Sequence, residues 1–201
     1  MLKKITPLLL LICALLCTIN TKTQAQTNVI PDDIELAVLK NIYDSLGGTG
    51  WTSSTNWPAS GSWPSTATSS QFGTWKGITV SYGDISSISL VNNNLTGVIP
   101  NSISRLVKLK TLALQKNSIT GSIPAALGKN TALTNVLLDH NTLTGTIPAE
   151  FGNLTSLLQL TLHNNTLTGS IPSSLGNLIS LDMLNVSYNQ LSGTIPTSLG
   201  Q

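Results

Sequence analysis

The sequence predicts an α/β solenoid: five stacked coils behind a helical N-terminal cap. Three observations carry this reading. Asn93, Asn117, Asn141, Asn165 and Asn189 recur at a step of 24 residues without slippage. A fixed period of this size marks an architecture in which each unit packs only on its neighbours. Apolar columns keep the same step: Ile85, Leu109, Leu133, Leu157 and Leu181; Ile88, Leu112, Val136, Leu160 and Leu184; Leu90, Leu114, Leu138, Leu162 and Val186. So do a glycine column (Gly97, Gly121, Gly145, Gly169, Gly193) and a proline column (Pro100, Pro124, Pro148, Pro172, Pro196).

In chain order, residues 1–25 read as a secretory signal peptide. Lys3 and Lys4 precede an apolar run from Leu8 to Leu16, and a polar stretch ends at the small residue Ala25. The mature chain is expected to start near Gln26. The apolar run is far short of the roughly 20 residues needed to span a bilayer, so no membrane span is expected. Leu16 before Cys17 is not the small residue that a lipid-modified cysteine requires, so simple cleavage is the expectation. Both cysteines, Cys13 and Cys17, leave with the signal, and disulfides cannot then contribute to stability.

Residues 26–84 read as the cap. Asp32 is the expected N-cap of a helix, with Glu35 placed three residues on for a capping box. Ile34, Val38, Ile42 and Leu46 share its apolar face, and Gly47-Gly48 stop it. Residues 58–71, rich in Ser, Thr, Pro, Ala and Gly, read as a surface loop before a cap strand. All four tryptophans, Trp51, Trp57, Trp63 and Trp75, fall in this segment. Covering the open end of the first coil is the reading preferred for them, ahead of a carbohydrate-stacking platform.

The repeats follow at 85–108, 109–132, 133–156, 157–180 and 181–201. Within each, an apolar-x-apolar step such as Leu112-Ala113-Leu114 has the period of a short strand with one face buried, and stacking makes these strands a parallel sheet. The asparagine that follows is read as a buried structural ladder, its amide satisfying backbone groups of its own and neighbouring coils. A segment such as Ile119-Thr120-Gly121-Ser122-Ile123-Pro124 bends at glycine and stops donating at proline, which suits a short second strand and then a 3₁₀ turn. The sequence reaches Gln201 as a sixth coil would begin, without a C-terminal cap. A fragment of a longer protein, or an end that meets a partner, is the expectation.

The run Leu160-Thr161-Leu162-His163-Asn164-Asn165-Thr166-Leu167-Thr168-Gly169-Ser170-Ile171-Pro172 resembles the plant-type subclass of leucine-rich repeats, and the resemblance covers residues 85–201. It implies a curved right-handed solenoid with the parallel sheet on its concave side, as in receptor-like ectodomains and polygalacturonase-inhibiting proteins. The segment Trp75-Lys76-Gly77-Ile78-Thr79-Val80 is similar to the family's cap motif, in which cysteines flank a tryptophan-glycine core. Gly73 and Val80 stand where those cysteines would be, so the cap resembles cysteine-free bacterial versions.

Composition narrows the function. Without the signal, seven basic residues face eight acidic ones, a net −1, which removes the electrostatic case for nucleic acid as a partner. The positions expected to point outward from the concave sheet differ from coil to coil while the frame does not. From these, Gln115, Lys116, Asp139, His140, Gln159, His163, Asn164 and Tyr188 are the candidate ligand-binding residues; solvated polar surface is the plain alternative for any one of them. Asp139 beside His163 has the composition of half a metal site or of a catalytic pair. No serine or cysteine nucleophile stands in an elbow and only two histidines exist, so no catalytic residue, metal or cofactor is expected. The sequons at Asn94, Asn153, Asn164 and Asn185 follow from the repeat consensus itself.

The reading is thus a secreted, extracellular binding module for a protein or carbohydrate, not an enzyme. Inhibition of a secreted glycosidase is the version the resemblance suggests. Two alternatives stand beside it: an ice-binding or structural solenoid, using Thr96, Thr120, Thr144, Thr168 and Ser192 as a regular polar side, and the truncated ectodomain of a longer receptor or adhesin.

Overall fold

The computed structural model describes residues 32–200. The expected signal peptide, its cleavage site and Cys17 lie outside them. Among the described residues no helix is long and apolar enough to cross a membrane.

Helix α1 (Asp32–Ser45) buries Val38 and Ile42 on the expected face, which Leu46 continues just past its end. Leu36, Leu39 and Tyr43 are buried as well, because the helix is covered on two sides. The first coil takes one side: Thr96 N–H donates to Leu46 O at 3.1 Å. An aromatic cluster takes the other. Tyr43 meets the rings of Trp51, Trp57 and Trp63 at centroid distances of 5.2, 6.1 and 5.5 Å, and Trp75 closes the group against Trp57 and Phe72. The indole N–H groups of Trp51 and Trp57 donate to Leu46 O and Lys76 O. These rings are cap core, as preferred from the sequence, and are not arranged as an open stacking platform.

Glu35 departs from its expected role. It does not close a capping box with Asp32; it is fully buried, and its Oε1 accepts the Ile85 N–H at 2.7 Å, 50 residues along the chain. The cap helix is thereby tied to the backbone where the first coil begins. Burial strips water from this carboxyl and raises its pKa from 4.5 to about 7; the Ile85 hydrogen bond pulls the other way, and the nearby charges of Asp84 and Asp32 add to the rise. The loop of residues 58–71 also carries more order than expected, ending in the short helix α2 (Ser69–Phe72), at whose start Thr68 N–H donates to Gln71 Oε1.

Strands β1 (Ile78–Ser81) and β2 (Asp84–Ser89) pair antiparallel across a tight turn at Tyr82-Gly83, both with positive φ (54° and 90°). Such a turn matches the twist of a hairpin. From β2 onward the main sheet is parallel: β2, β4 (Thr111–Ala113), β6 (Asn135–Leu137), β7 (Gln159–Thr161) and β9 (Met183–Asn185) follow one another in that order. Register is strict, with Ile88, Leu112, Val136, Leu160 and Leu184 side by side. Second strands form as expected but do not make one sheet. Strands β3 (Thr96–Val98) and β5 (Ser118–Thr120) pair with each other, β8 (Thr168–Gly169) and β10 (Gln190–Leu191) pair separately, and a lone bridge, Ser122 to Thr144, lies between. After each proline comes a 3₁₀ turn, for example Ala125–Lys129, whose Gly128 lies against the Glu150 carbonyl of the next coil with no room for a Cβ.

The asparagine column is the ladder expected from the sequence. Asn141 Oδ1 accepts the Ile119 N–H at 3.0 Å, while its Nδ2 donates to Leu114 O of the preceding coil and to Leu138 O of its own. Asn117, Asn165 and Asn189 repeat the pattern. Asn93 has no coil before it and exchanges hydrogen bonds with the cap instead, through the N–H of Ser53 and its carbonyl. A further buried amide escaped the sequence reading. Asn130 occupies a position held by leucine in the other coils (Leu106, Leu154, Leu178), and its Nδ2 donates to Ile103 O and Leu106 O. A break in an otherwise apolar column was the signal available.

Two stability predictions follow from these contacts. Asn141→Ala should cost about 1–3 kcal/mol by removing the side chain from four backbone partners, while the neighbouring exposed His140→Ala should cost far less; equal urea midpoints for the two would contradict the ladder. For Glu35 the folded pKa lies above the unfolded one. The folded carboxyl therefore stays protonated while the unfolded one ionises, and stability falls as pH rises from 4.5 to about 7. The loss is up to about 3 kcal/mol. Chemical denaturation on either side of that window should show it, and Glu35→Gln should flatten it.

Candidate functional site

The outer face of the main sheet is built from positions that alternate with the buried ladder of leucines. Its first column, Ser87, Thr111, Asn135 and Gln159, is half-buried, and Met183 at its end is exposed. Asn135 Nδ2 donates to Gln159 Oε1 at 3.0 Å, which occupies Gln159 within the sheet face. In the next column Ala113 and Thr161 are buried by their neighbours. The third column holds Gln115, Asp139 and His163. The strands end before this column, contrary to the expectation that it points out from the sheet, and the same holds for the fourth, Asn92, Lys116, His140, Asn164 and Tyr188. Every member of the fourth has a positive φ, between 48° and 59°. At this corner the chain turns out of the sheet while the inter-coil ladder continues, His140 N–H donating to His163 O. The corner projects these side chains from the rim of the face: Lys116 and His140 are exposed, and Tyr188 is 79% exposed.

Four of the candidates come together. Asp139 is 8% exposed, not the open surface group expected from its column. Its Oδ1 accepts the Thr161 hydroxyl at 2.7 Å, and its Oδ2 lies 3.0 Å from His140 Nδ1 and 3.8 Å from His163 Nε2. The two imidazole rings meet edge to face, with centroids 4.9 Å apart. Asn164 Nδ2 stands 3.0 Å from His140 Nε2. One tautomer satisfies both contacts of His140, with Nδ1–H donating to Asp139 and Nε2 accepting from Asn164. His163 is less well served, since its Nδ1 is buried without a partner. Thr161 was missed by the sequence reading; it neighbours Asp139 only through the register of adjacent coils.

Burial alone would raise the Asp139 pKa. The hydrogen bonds from Thr161 and His140 and the charge of His163 outweigh it, and the carboxyl is held below its ordinary value of 3.8. The result is a fixed anion at the base of a pair of imidazoles. Gln115, Lys116 and Tyr188 flank this cluster from coils two and five. No serine or cysteine is hydrogen-bonded to either histidine among the described residues, so the nucleophile-base pair of acyl-transfer chemistry is not assembled there.

The opposite polar column is differently used. The hydroxyls of Thr120, Thr168 and Ser192 donate to the carbonyls of Gly97, Gly145 and Gly169 in the preceding coil. They close backbone hydrogen bonds between coils and are not a free array of donors.

The family model described as "Leucine rich repeat" matches residues 84–143 and 131–191. No curated protein matches the chain. Among solved structures, a chain of the BIR3–SERK2 complex from Arabidopsis thaliana is similar, at 31% identity and a TM-score of 0.72, over 82% of this chain and 87% of that one. The BIR2 ectodomain, also from Arabidopsis thaliana, matches at 25% identity and a TM-score of 0.75, over 86% and 88% of the two chains. A plant ice-binding protein matches at 26% identity and a TM-score of 0.60, over 84% of this chain and 60% of its own.

Proposed function

The chain belongs to the leucine-rich repeat family, and from that premise we propose that it is a secreted binding module, not an enzyme, whose main-sheet face holds a protein or carbohydrate ligand. The observation that carries this reading is the polar cluster of Asp139, His140, His163 and Asn164, set on a rigid frame with Lys116 and an open Tyr188 on its flanks. Polar groups held in place by a ladder, beside an exposed aromatic, are what an interface anchor requires. Protein is the ligand class placed first, because the BIR3–SERK2 relative was solved as a complex of two named proteins. Five parallel strands at about 4.8 Å spacing reach only about 20 Å. That is a small footprint, suited to a peptide, a loop or a short glycan.

The ice-binding relative supports a second reading, in which the Thr/Ser side is the working surface. Against it stands the engagement of Thr120, Thr168 and Ser192 with neighbouring carbonyls. The receptor-ectodomain reading, supported by the BIR2 likeness, uses the same sheet face.

The combined variant His140→Ala, His163→Ala and Tyr188→Ala should weaken binding to any ligand captured from native secretions or a glycan array, while leaving the thermal midpoint nearly unchanged. The tyrosine alone is worth about 2 kcal/mol if central. Changing together Ser122, Thr146 and Ser170, which stand two residues after Thr120, Thr144 and Thr168 on the second-strand side, should leave affinity as it was. Normal binding by the first variant and failure of the second would move the site to the Thr/Ser side, and ice-growth inhibition would then be the assay of choice.

A further inference from the structure

Asp139, His140 and His163 each offer one ligand atom, and these atoms all lie within 4.8 Å of one another. We propose that these three side chains form a binding site for one divalent transition-metal ion of borderline softness, zinc in the first place. Two imidazole nitrogens and a carboxylate oxygen are a donor set typical of that ion and poorly suited to magnesium or calcium, which take oxygen ligands. The site does not depend on the ligand reading above, because the protein alone supplies the three donors.

The geometry is close to what coordination needs. Ligand atoms of a tetrahedral zinc lie roughly 3.3 Å apart when the bonds are about 2 Å. Asp139 Oδ2 is 3.0 Å from His140 Nδ1 and 3.8 Å from His163 Nε2, on either side of that value. Rotations of the exposed His140 ring bring the third edge in. Asp139 needs no adjustment: Thr161 fixes its other oxygen, and its carboxyl is ionised across the neutral range. His163 gains most. Among the described residues neither of its ring nitrogens has a hydrogen-bond partner, Nε2 lying beyond hydrogen-bond reach of Asp139 and Nδ1 buried alone. A metal ion would give Nε2 a strong partner and neutralise the buried carboxylate.

Proton bookkeeping is simple for His140. When Nδ1 binds the ion, the ring proton moves to Nε2, and Asn164 accepts it by turning its amide oxygen to where its nitrogen now stands. The fourth position faces the open side of the sheet and takes water or an oxygen donor from outside.

Isothermal titration of zinc into the untagged, metal-stripped chain tests this. One ion per chain is expected, with affinity falling at least tenfold in His163→Ala and in His140→Ala and unchanged in Lys108→Ala, an exposed residue outside the cluster. Magnesium should give no heat. Cobalt(II) in place of zinc should give a visible absorption of tetrahedral intensity, which the double histidine variant loses. Any contribution of Cys13 and Cys17, which the expected cleavage removes, is the same in every variant, so the difference isolates the trio. Metal-free thermal midpoints matching the unaltered chain show that the variants fold. Absence of zinc binding, or equal zinc binding by the double histidine variant, would overturn the site.

Discussion

One side-chain amide per coil holds this protein together. From Asn117 onward each ladder asparagine accepts a backbone N–H and donates to carbonyls of two coils, so the backbone can leave the sheet at a sharp corner without abandoning polar groups in the interior. The other regularities depend on that corner. Because the turn is satisfied from within, the preceding residue can occupy the left-handed region in every coil without being glycine. The leucine columns can then stack in strict register, and the face outside them can vary from coil to coil.

The cap solves the problem of a first coil with nothing before it. Asn93, the first ladder member, exchanges its hydrogen bonds with Ser53, and Glu35 reaches the N–H of Ile85 from the cap helix. The tryptophan cluster covers the apolar end. These contacts do for coil one what each coil does for the next. They do so with a carboxyl whose burial opposes its ionisation, which makes the junction between cap and repeats the pH-sensitive joint of the fold.

Periodicity made the repeats legible in the sequence: the columns of Asn, Leu, Gly and Pro give coil length, strand position, ladder and turn, because each column answers to one local physical demand repeated five times. What was not legible lies where the period is broken or where neighbours meet. Glu35 fits a capping motif by spacing, and only the tertiary approach of Ile85 gives it another partner. Asn130 sits in an apolar column and is explained by the carbonyls of Ile103 and Leu106. The burial of Asp139 depends on Thr161, a residue 22 positions away. On the candidate face, periodicity made the outward columns legible. The third and fourth columns, expected on the sheet, follow the ends of the strands, and a change in the sign of φ leaves no trace in side-chain pattern.

The polar cluster is divided between two units of the repeat. Asp139 and His140 come from the third coil, while Thr161, His163 and Asn164 come from the fourth. Neither coil contains the arrangement, and the seam between them creates it. Gain or loss of a whole unit therefore has different consequences at different points along the chain. Gain or loss of a coil outside this pair would carry the arrangement along the solenoid intact. A new unit inserted between them would part the carboxylate from His163 by one strand spacing, about 4.8 Å, and abolish it in a single step.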